Sequence, residues 1–146
     1  MEIPRVVADI MTRKVAVVHE EDNLDRLQEA MNRHGFRHLP VVNGGDKLVG
    51  IVSDRDVMSA GVGQLLTGAG VEGVEKRLLS ETFIARVMHT SVRTVRPDTP
   101  LADAVRILAG AKIGALPVVE RDNRLVGMVT AHDFLRLTVQ LLEAKT

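Results

Sequence analysis

Short apolar runs bounded by polar turns alternate along this chain with stretches in which apolar residues recur at helical spacing. Val15, Val17 and Val18 suggest a short strand, closed by a turn at Glu20-Glu21-Asp22. Leu24, Leu27 and Met31 follow at i, i+3 and i+7, predicting a helix capped by Asp22. Gly35, near the end of that helix, suits a left-handed C-terminal residue. Residues 39–42 and 47–52 then read as two strands joined by Asn43-Gly44-Gly45-Asp46, a strong turn signal. Gly50 lies inside the second of these strands, where glycine marks a bulge or a close backbone approach. After Asp56 the pattern turns helical again.

The same series then returns. Leu39-Pro40-Val41-Val42 recurs as Leu116-Pro117-Val118-Val119, and Leu48-Val49-Gly50 as Leu125-Val126-Gly127, both 77 residues on. That shift also pairs Ala8 with Ala85, Met11 with Met88, Leu24 with Leu101 and Asp56 with Asp133, and needs no gap when residues 7–57 are laid on 84–134. Self-similarity in one register is the mark of a duplicated unit, and two copies are too few for a solenoid. We therefore expect an α/β (α+β) fold of two β-α-β-β-α units that pack about a pseudo-twofold axis. Residues 1–60 form the first copy and residues 61–83 a glycine-rich connection with a lead-in helix over 75–83; residues 84–146 are the second copy, ending in a helix over 131–143. In the second copy Thr99 is expected at the helix cap and Pro100 at the first helical position, with Leu101, Ala104, Val105 and Leu108 on one face. Glu120-Arg121-Asp122-Asn123 makes the hairpin turn without glycine. In the last helix Phe134, Leu135, Thr138, Leu141 and Leu142 share a face that Leu137 and Val139 widen. Core packing and a homodimer contact both fit that width.

Composition narrows the functions. The 146 residues carry 19 basic and 19 acidic side chains, a formal net charge of zero, so no global attraction to nucleic acid or an anionic membrane is expected. Three phenylalanines, with no Trp or Tyr, cannot build a platform for stacking unpaired bases. The absence of cysteine excludes disulfides, a thiolate nucleophile and a cysteine zinc site. No apolar run approaches the roughly 20 residues of a membrane span, and no signal peptide is visible, so the expected setting is the cytoplasm. His19, His34 and His89 show no metal-ligand spacing, and no nucleophile–base pattern is present, so neither a metal site nor catalytic residues are expected. Met11, Met31, Met58, Met88 and Met128 read as core filler.

A strand and helix followed by hydrophobic-Pro-Val-Val, a turn, hydrophobic-x-Gly-hydrophobic-Val and Ser/Thr-x-x-Asp resembles the CBS domain, named after cystathionine β-synthase. Both copies carry the full pattern, so residues 7–141 resemble a tandem CBS pair, or Bateman module. In layout the chain is similar to the small stand-alone CBS proteins of bacteria. Its Arg37-His38-Leu39-Pro40-Val41-Val42 and Ser53-Asp54-Arg55-Asp56 segments are similar to those of the member associated with acetoin utilisation. The resemblance implies two symmetry-related clefts between the copies that bind adenosine compounds such as AMP, ADP, ATP or S-adenosylmethionine. Each would take its Ser/Thr-x-x-Asp from one copy and its adenine-lining backbone from the other.

The residue chemistry agrees with that implication. An aspartate can accept two hydrogen bonds from vicinal ribose hydroxyls, and at a helix start free backbone N–H groups can meet a phosphate. Asp56 and Asp133 are the candidates, with Ser53 and Thr130 three residues earlier; ordinary helix capping is the alternative for each pair. One cleft would combine Thr130, His132 and Asp133 with Arg37, His38, Lys14 and Ala16, Arg37 gripping a phosphate with its planar fork. The other would combine Ser53, Arg55 and Asp56 with Ile113, Gly114, Ala115 and Arg93. Each cation taken singly also fits a solvated surface charge. The expected function is a non-catalytic regulatory module that needs no cofactor, binds an adenosine nucleotide and signals to an unidentified partner protein by conformational change. A dimerisation scaffold with empty clefts and a binder of S-adenosylmethionine are the alternatives; an enzyme or a nucleic-acid binder is disfavoured.

Overall fold

The computed structural model describes residues 2–35, 38–59 and 79–144. In chain order its regular elements are β1 (Val18–His19), α1 (Leu24–His34), β2 (His38–Val42), β3 (Leu48–Ser53), α2 (Asp54–Ser59), α3 (Leu101–Ala111), β4 (Ala115–Val119), β5 (Leu125–Thr130) and α4 (Ala131–Ala144). Single 3-10 turns at Val7–Asp9 and Ile84–Arg86 open the two copies. This is the mixed α/β class expected. The glycine-rich connection and most of the lead-in helix lie outside the described residues, although residues 79–81 are helical. Among the described residues no helix is long and apolar enough to cross a membrane.

The strands pair as the duplicated pattern requires. β2 and β3 form an antiparallel hairpin, and β1 adds to β2 in parallel through Val18↔Val41. β4 and β5 repeat the hairpin, and the parallel partner shrinks to a single bridge, Val95↔Val118. Each hairpin closes on a residue at positive φ, Asp46 (61°) or Asn123 (68°), rather than on the glycines of the first turn. Short polar side chains tolerate that region, so the glycine-free turn of the second copy costs little. The register slips by one residue between Val41 and Val42 and again between Val118 and Val119, the bulge that the neighbouring glycines announced.

Two helix starts differ from expectation. Asn23, not Asp22, caps α1, accepting from the Arg26 amide at 3.0 Å. The Asp22 carboxylate instead accepts the His19 amide at 2.9 Å and tightens the preceding turn. Thr99 does the same in the second copy, its hydroxyl accepting the Arg96 amide at 2.9 Å, so Pro100 occupies the cap of α3 and Leu101 is the first helical residue. Proline suits the cap because it has no N–H to satisfy. α1 ends at Gly35 with φ 68°, as expected, whereas α3 ends on Lys112 forced to φ 54°. On α3, Leu101, Ala104 and Leu108 are buried, but Val105 is exposed.

The described chain divides into two compact units that cut across the copies. One joins the residues up to Val15 with those from Arg93 onward, and the other runs from Ala16 to Val92. In the first, Val7 and Met11 share a core with Leu101, Ala104, Leu116, Val118 and Val129. In the second, Leu79 and Ile84 share a core with Val18, Leu24, Leu27, Leu39, Val41 and Val52. The lead-in of each copy thus packs within the unit of the other copy. Thr12 exchanges both backbone hydrogen bonds with Met128 at 2.9 Å, and His89, 77 residues on, does so with Ile51 at 2.9 and 2.8 Å. Each lead-in thereby lines the free edge of a hairpin, blunting an exposed strand. The glycines of β3 and β5 permit this: a Cβ on Gly50 would sit 2.7 Å from Met88 Sδ, and one on Gly127 2.7 Å from Met11 Sδ.

Candidate functional site

Both Ser/Thr-x-x-Asp segments straddle a strand-to-helix junction. β3 runs into α2 at Ser53, and the chain must turn while the first amides of the helix have no intrahelical partner. Ser53 and Asp56 satisfy each other: the Ser53 amide donates to Asp56 Oδ2 at 2.9 Å, and the Asp56 amide donates to Ser53 Oγ at 3.1 Å. This reciprocal box holds the carboxylate rigidly, leaving Oδ1 outward. That oxygen lies 2.6 Å from His89 Nε2, an ion pair whenever the ring is protonated; the Asp56 side chain is 15% exposed and that of His89 68%.

The β5–α4 junction repeats the box. The Thr130 amide and hydroxyl both donate to Asp133 Oδ2, at 2.9 and 3.1 Å, and the Asp133 amide donates to Thr130 Oγ1 at 3.3 Å. Asp133 Oδ1 accepts from Arg136 Nη2 at 2.6 Å, one helical turn on. The carboxylate is only 6% exposed, and the guanidinium side chain over it is 64% exposed. A carboxylate offers about four acceptor positions. Three are used here, and Oδ1 retains one for a hydroxyl donor. Capping by Oδ2 thus leaves acceptor capacity on the other oxygen of the same group.

His38 is exposed at the start of β2, opposite Ser53 in the ladder, and Arg55 is exposed on α2. Ala16 packs against the core of the Ala16–Val92 unit. In the other unit, Ala115 pairs with Thr130 across the β4–β5 ladder, and the Gly114 carbonyl accepts the Ala131 amide at 3.0 Å. Ile113 packs on the same unit's core, while Lys14, Arg93 and His132 are exposed. The structure thus brings Gly114 and Ala115 to the Thr130–Asp133 junction, and His38 to the Ser53–Asp56 junction. Arg37 lies outside the described residues. Two residues were missed by sequence reasoning: His89, 33 positions from its aspartate, carries no local signal, whereas Arg136 stands at i+3 from Asp133, a helical spacing that could have revealed it. Among the described residues no group of three or more metal-ligating side chains converges, and no buried side-chain polar atom lacks a hydrogen-bond partner.

Comparison with known proteins agrees with this architecture. The family model described as the CBS domain matches twice, over residues 7–63 and 84–139. A CBS domain-containing protein of Dictyostelium discoideum is 28% identical over 138 residues, which cover 94% of either chain. A homoserine O-acetyltransferase of Methanococcoides burtonii is 34% identical over 90% of this chain, but the match spans only 24% of that enzyme. Among solved structures, an acetoin utilization protein (AcuB) from Vibrio cholerae superposes with a TM-score of 0.79 at 33% identity, covering 99% of this chain and 96% of that one. CBSX2 in complex with AMP gives a TM-score of 0.77 at 28% identity, with 94% and 98% covered. The CBS domain pair of protein MJ0100, in complex with 5′-methylthioadenosine and S-adenosyl-L-methionine, gives 0.72 at 26% identity, with 91% and 98% covered. The chain belongs to the CBS-domain family and carries two copies of the domain in tandem.

Proposed function

We propose that this chain is a non-catalytic regulatory module that binds an adenosine nucleotide of the AMP, ADP or ATP class and transmits its occupancy to a partner protein. The observation that carries the reading is the pair of aspartates, half-buried Asp56 and buried Asp133, each fixed through Oδ2 by its capping box and each presenting Oδ1 beside a basic side chain. Such an acceptor, pre-oriented by its own helix start, can take a ribose hydroxyl without reorganising. That relatives of similar fold are complexes with AMP, and with 5′-methylthioadenosine and S-adenosyl-L-methionine, supports an adenosine ligand. Ser53 and Thr130 would brace the sugar-reading carboxylates. His38, Arg55 and His132 would supply polar contacts around them, Lys14, Arg37 and Arg93 further cations, and Ala16, Ile113, Gly114 and Ala115 the apolar lining. The module acts in the cytoplasm on this reading and requires no cofactor for its fold.

A ligand that binds only the folded state raises its stability in proportion to the logarithm of its concentration over Kd. Thermal unfolding against AMP, ADP, ATP, adenosine, 5′-methylthioadenosine and S-adenosylmethionine is therefore the test. A dose-dependent rise in midpoint with a nucleotide is expected. No rise with any of the six overturns the reading in favour of a scaffold. A rise confined to the sulfur compounds reassigns the ligand.

We also infer that the module works as a homodimer. Leu135, Val139 and Leu142 stand at i, i+4 and i+7 along α4 and are 64%, 52% and 64% exposed, a stripe beyond what the core of its own unit uses. A second copy would cover the same stripe by symmetry.

A further inference from the structure

The two aspartates differ in what holds their outer oxygen. Asp56 Oδ1 faces His89, whereas Asp133 Oδ1 is bound by Arg136, a permanent cation on the same helix. The position of the first copy that corresponds to Arg136 is Ser59, so this arginine belongs to the Asp133 site alone. Its guanidinium makes one hydrogen bond among the described residues, through Nη2, and the side chain is 64% exposed. A guanidinium has five N–H donors in a fixed fork, so one edge can hold the carboxylate while another faces outward.

We propose that Arg136 is a specificity-determining residue of the Asp133 site, selecting phosphorylated adenosine over the bare nucleoside. The inference rests on the adenosine-binding reading above. The buried carboxylate reads the ribose, and the arginine clamped to it presents its remaining donors to the phosphate on that ribose. The clamp removes much of the rotamer freedom of the arginine before the ligand arrives, so less entropy is lost when the phosphate is taken. Bound to Asp133 the guanidinium also neutralises the carboxylate, which would otherwise repel the phosphate.

The test is calorimetric titration of AMP and of adenosine into the full chain carrying Asp56→Asn, which leaves the Asp133 site to be read. Adding Arg136→Ala should weaken AMP about tenfold or more, the range of a lost charge-assisted hydrogen bond, while adenosine stays within about twofold. Arg136→Lys, which keeps the charge but not the fork, should restore part of the AMP affinity, and the sensitivity of AMP binding to salt should fall in the alanine variant. An equal loss for both ligands overturns the proposal, because Arg136 would then only prop the aspartate. Unchanged or tighter AMP binding overturns it too, because the arginine would be a competitor for Oδ1. If the Asp56→Asn parent binds neither ligand, the adenosine reading of this site fails and the proposal falls with it, a result distinct from equal loss. Arg136 is exposed, so circular dichroism of the alanine variant should match that of the parent.

Discussion

Replacing Gly50 with alanine probes the exchange of lead-ins at its tightest point. The new Cβ would stand 2.7 Å from Met88 Sδ, 3.0 Å from Met88 Cγ and 2.8 Å from the His89 carbonyl oxygen. The thioether can swing aside at modest cost. The carbonyl cannot, because His89 is pinned by two backbone bonds to Ile51 at 2.9 and 2.8 Å. Restoring van der Waals distance moves that carbonyl by several tenths of an ångström and weakens both bonds. Overpacking costs about 1–3 kcal/mol, and a weakened backbone hydrogen bond some fraction of about 1 kcal/mol. The stiffer unfolded chain returns about 0.4–1 kcal/mol. The net expectation is a loss of about 1–3 kcal/mol, or roughly 0.5–1.5 M in urea midpoint for a slope near 2 kcal/mol/M. Equilibrium urea unfolding followed by far-ultraviolet circular dichroism measures it. Gly127→Ala should cost less, since its nearest backbone atom, the Thr12 carbonyl oxygen, is 3.0 Å away. Met88→Ala in the Gly50→Ala background should recover only the side-chain part of the loss. A Gly50→Ala protein within about 0.5 kcal/mol of the parent would mean that the lead-in does not lie against β3.

Three further outcomes follow from single residues. Lys112→Gly should stabilise the chain by about 1 kcal/mol in the same urea assay, since it relieves a left-handed residue whose counterpart in the first copy is Gly35. Asp9 accepts the Val6 and Arg5 amides at 3.0 and 2.8 Å, and these two bonds, Val6 first, hold its carboxyl below the usual 3.8. A carboxyl depressed in the folded state stabilises above its unfolded pKa and ceases to do so as pH falls through the folded value. The stability gap between the parent and Asp9→Asn should therefore be steady near neutrality and close below about pH 4. Leu135→Glu on α4 should shift the mass measured by light scattering from dimer to monomer without loss of helix content.

Much of the fold was legible because the duplication let each copy check the other. The hairpin strands, the Gly35 cap and the bulges beside Gly50 and Gly127 all follow from local pattern. The misplaced caps have a physical cause: Asp22 and Asn23 are adjacent acceptors, and only the folded turn decides that the carboxylate takes the His19 amide and leaves the helix to the amide side chain. Thr99 likewise spends its oxygen on the turn, and Pro100 takes the cap position without a side-chain bond. The exchange of lead-ins was invisible, since the repeat aligns Met11 with Met88 but does not say which hairpin each one meets. The same reason hid His89: its pairing with Asp56 depends on that exchange. The capping bonds of Ser53 with Asp56 and of Thr130 with Asp133 were legible because their partners stand only three residues apart in the chain.

Whether Asp56 and Asp133 read the ribose of an adenosine ligand is decided by titration of AMP into Asp56→Asn, Asp133→Asn and the doubly substituted chain. Asparagine keeps an oxygen to accept the capping amide, so the helix starts should survive, but it removes the charge that strengthens a bond from a ribose hydroxyl. Each single variant should lose the binding at its own site by about tenfold or more, and the double variant should need at least about tenfold more AMP than the parent to reach half-saturation. AMP bound as tightly by the double variant as by the parent would return both aspartates to helix capping alone.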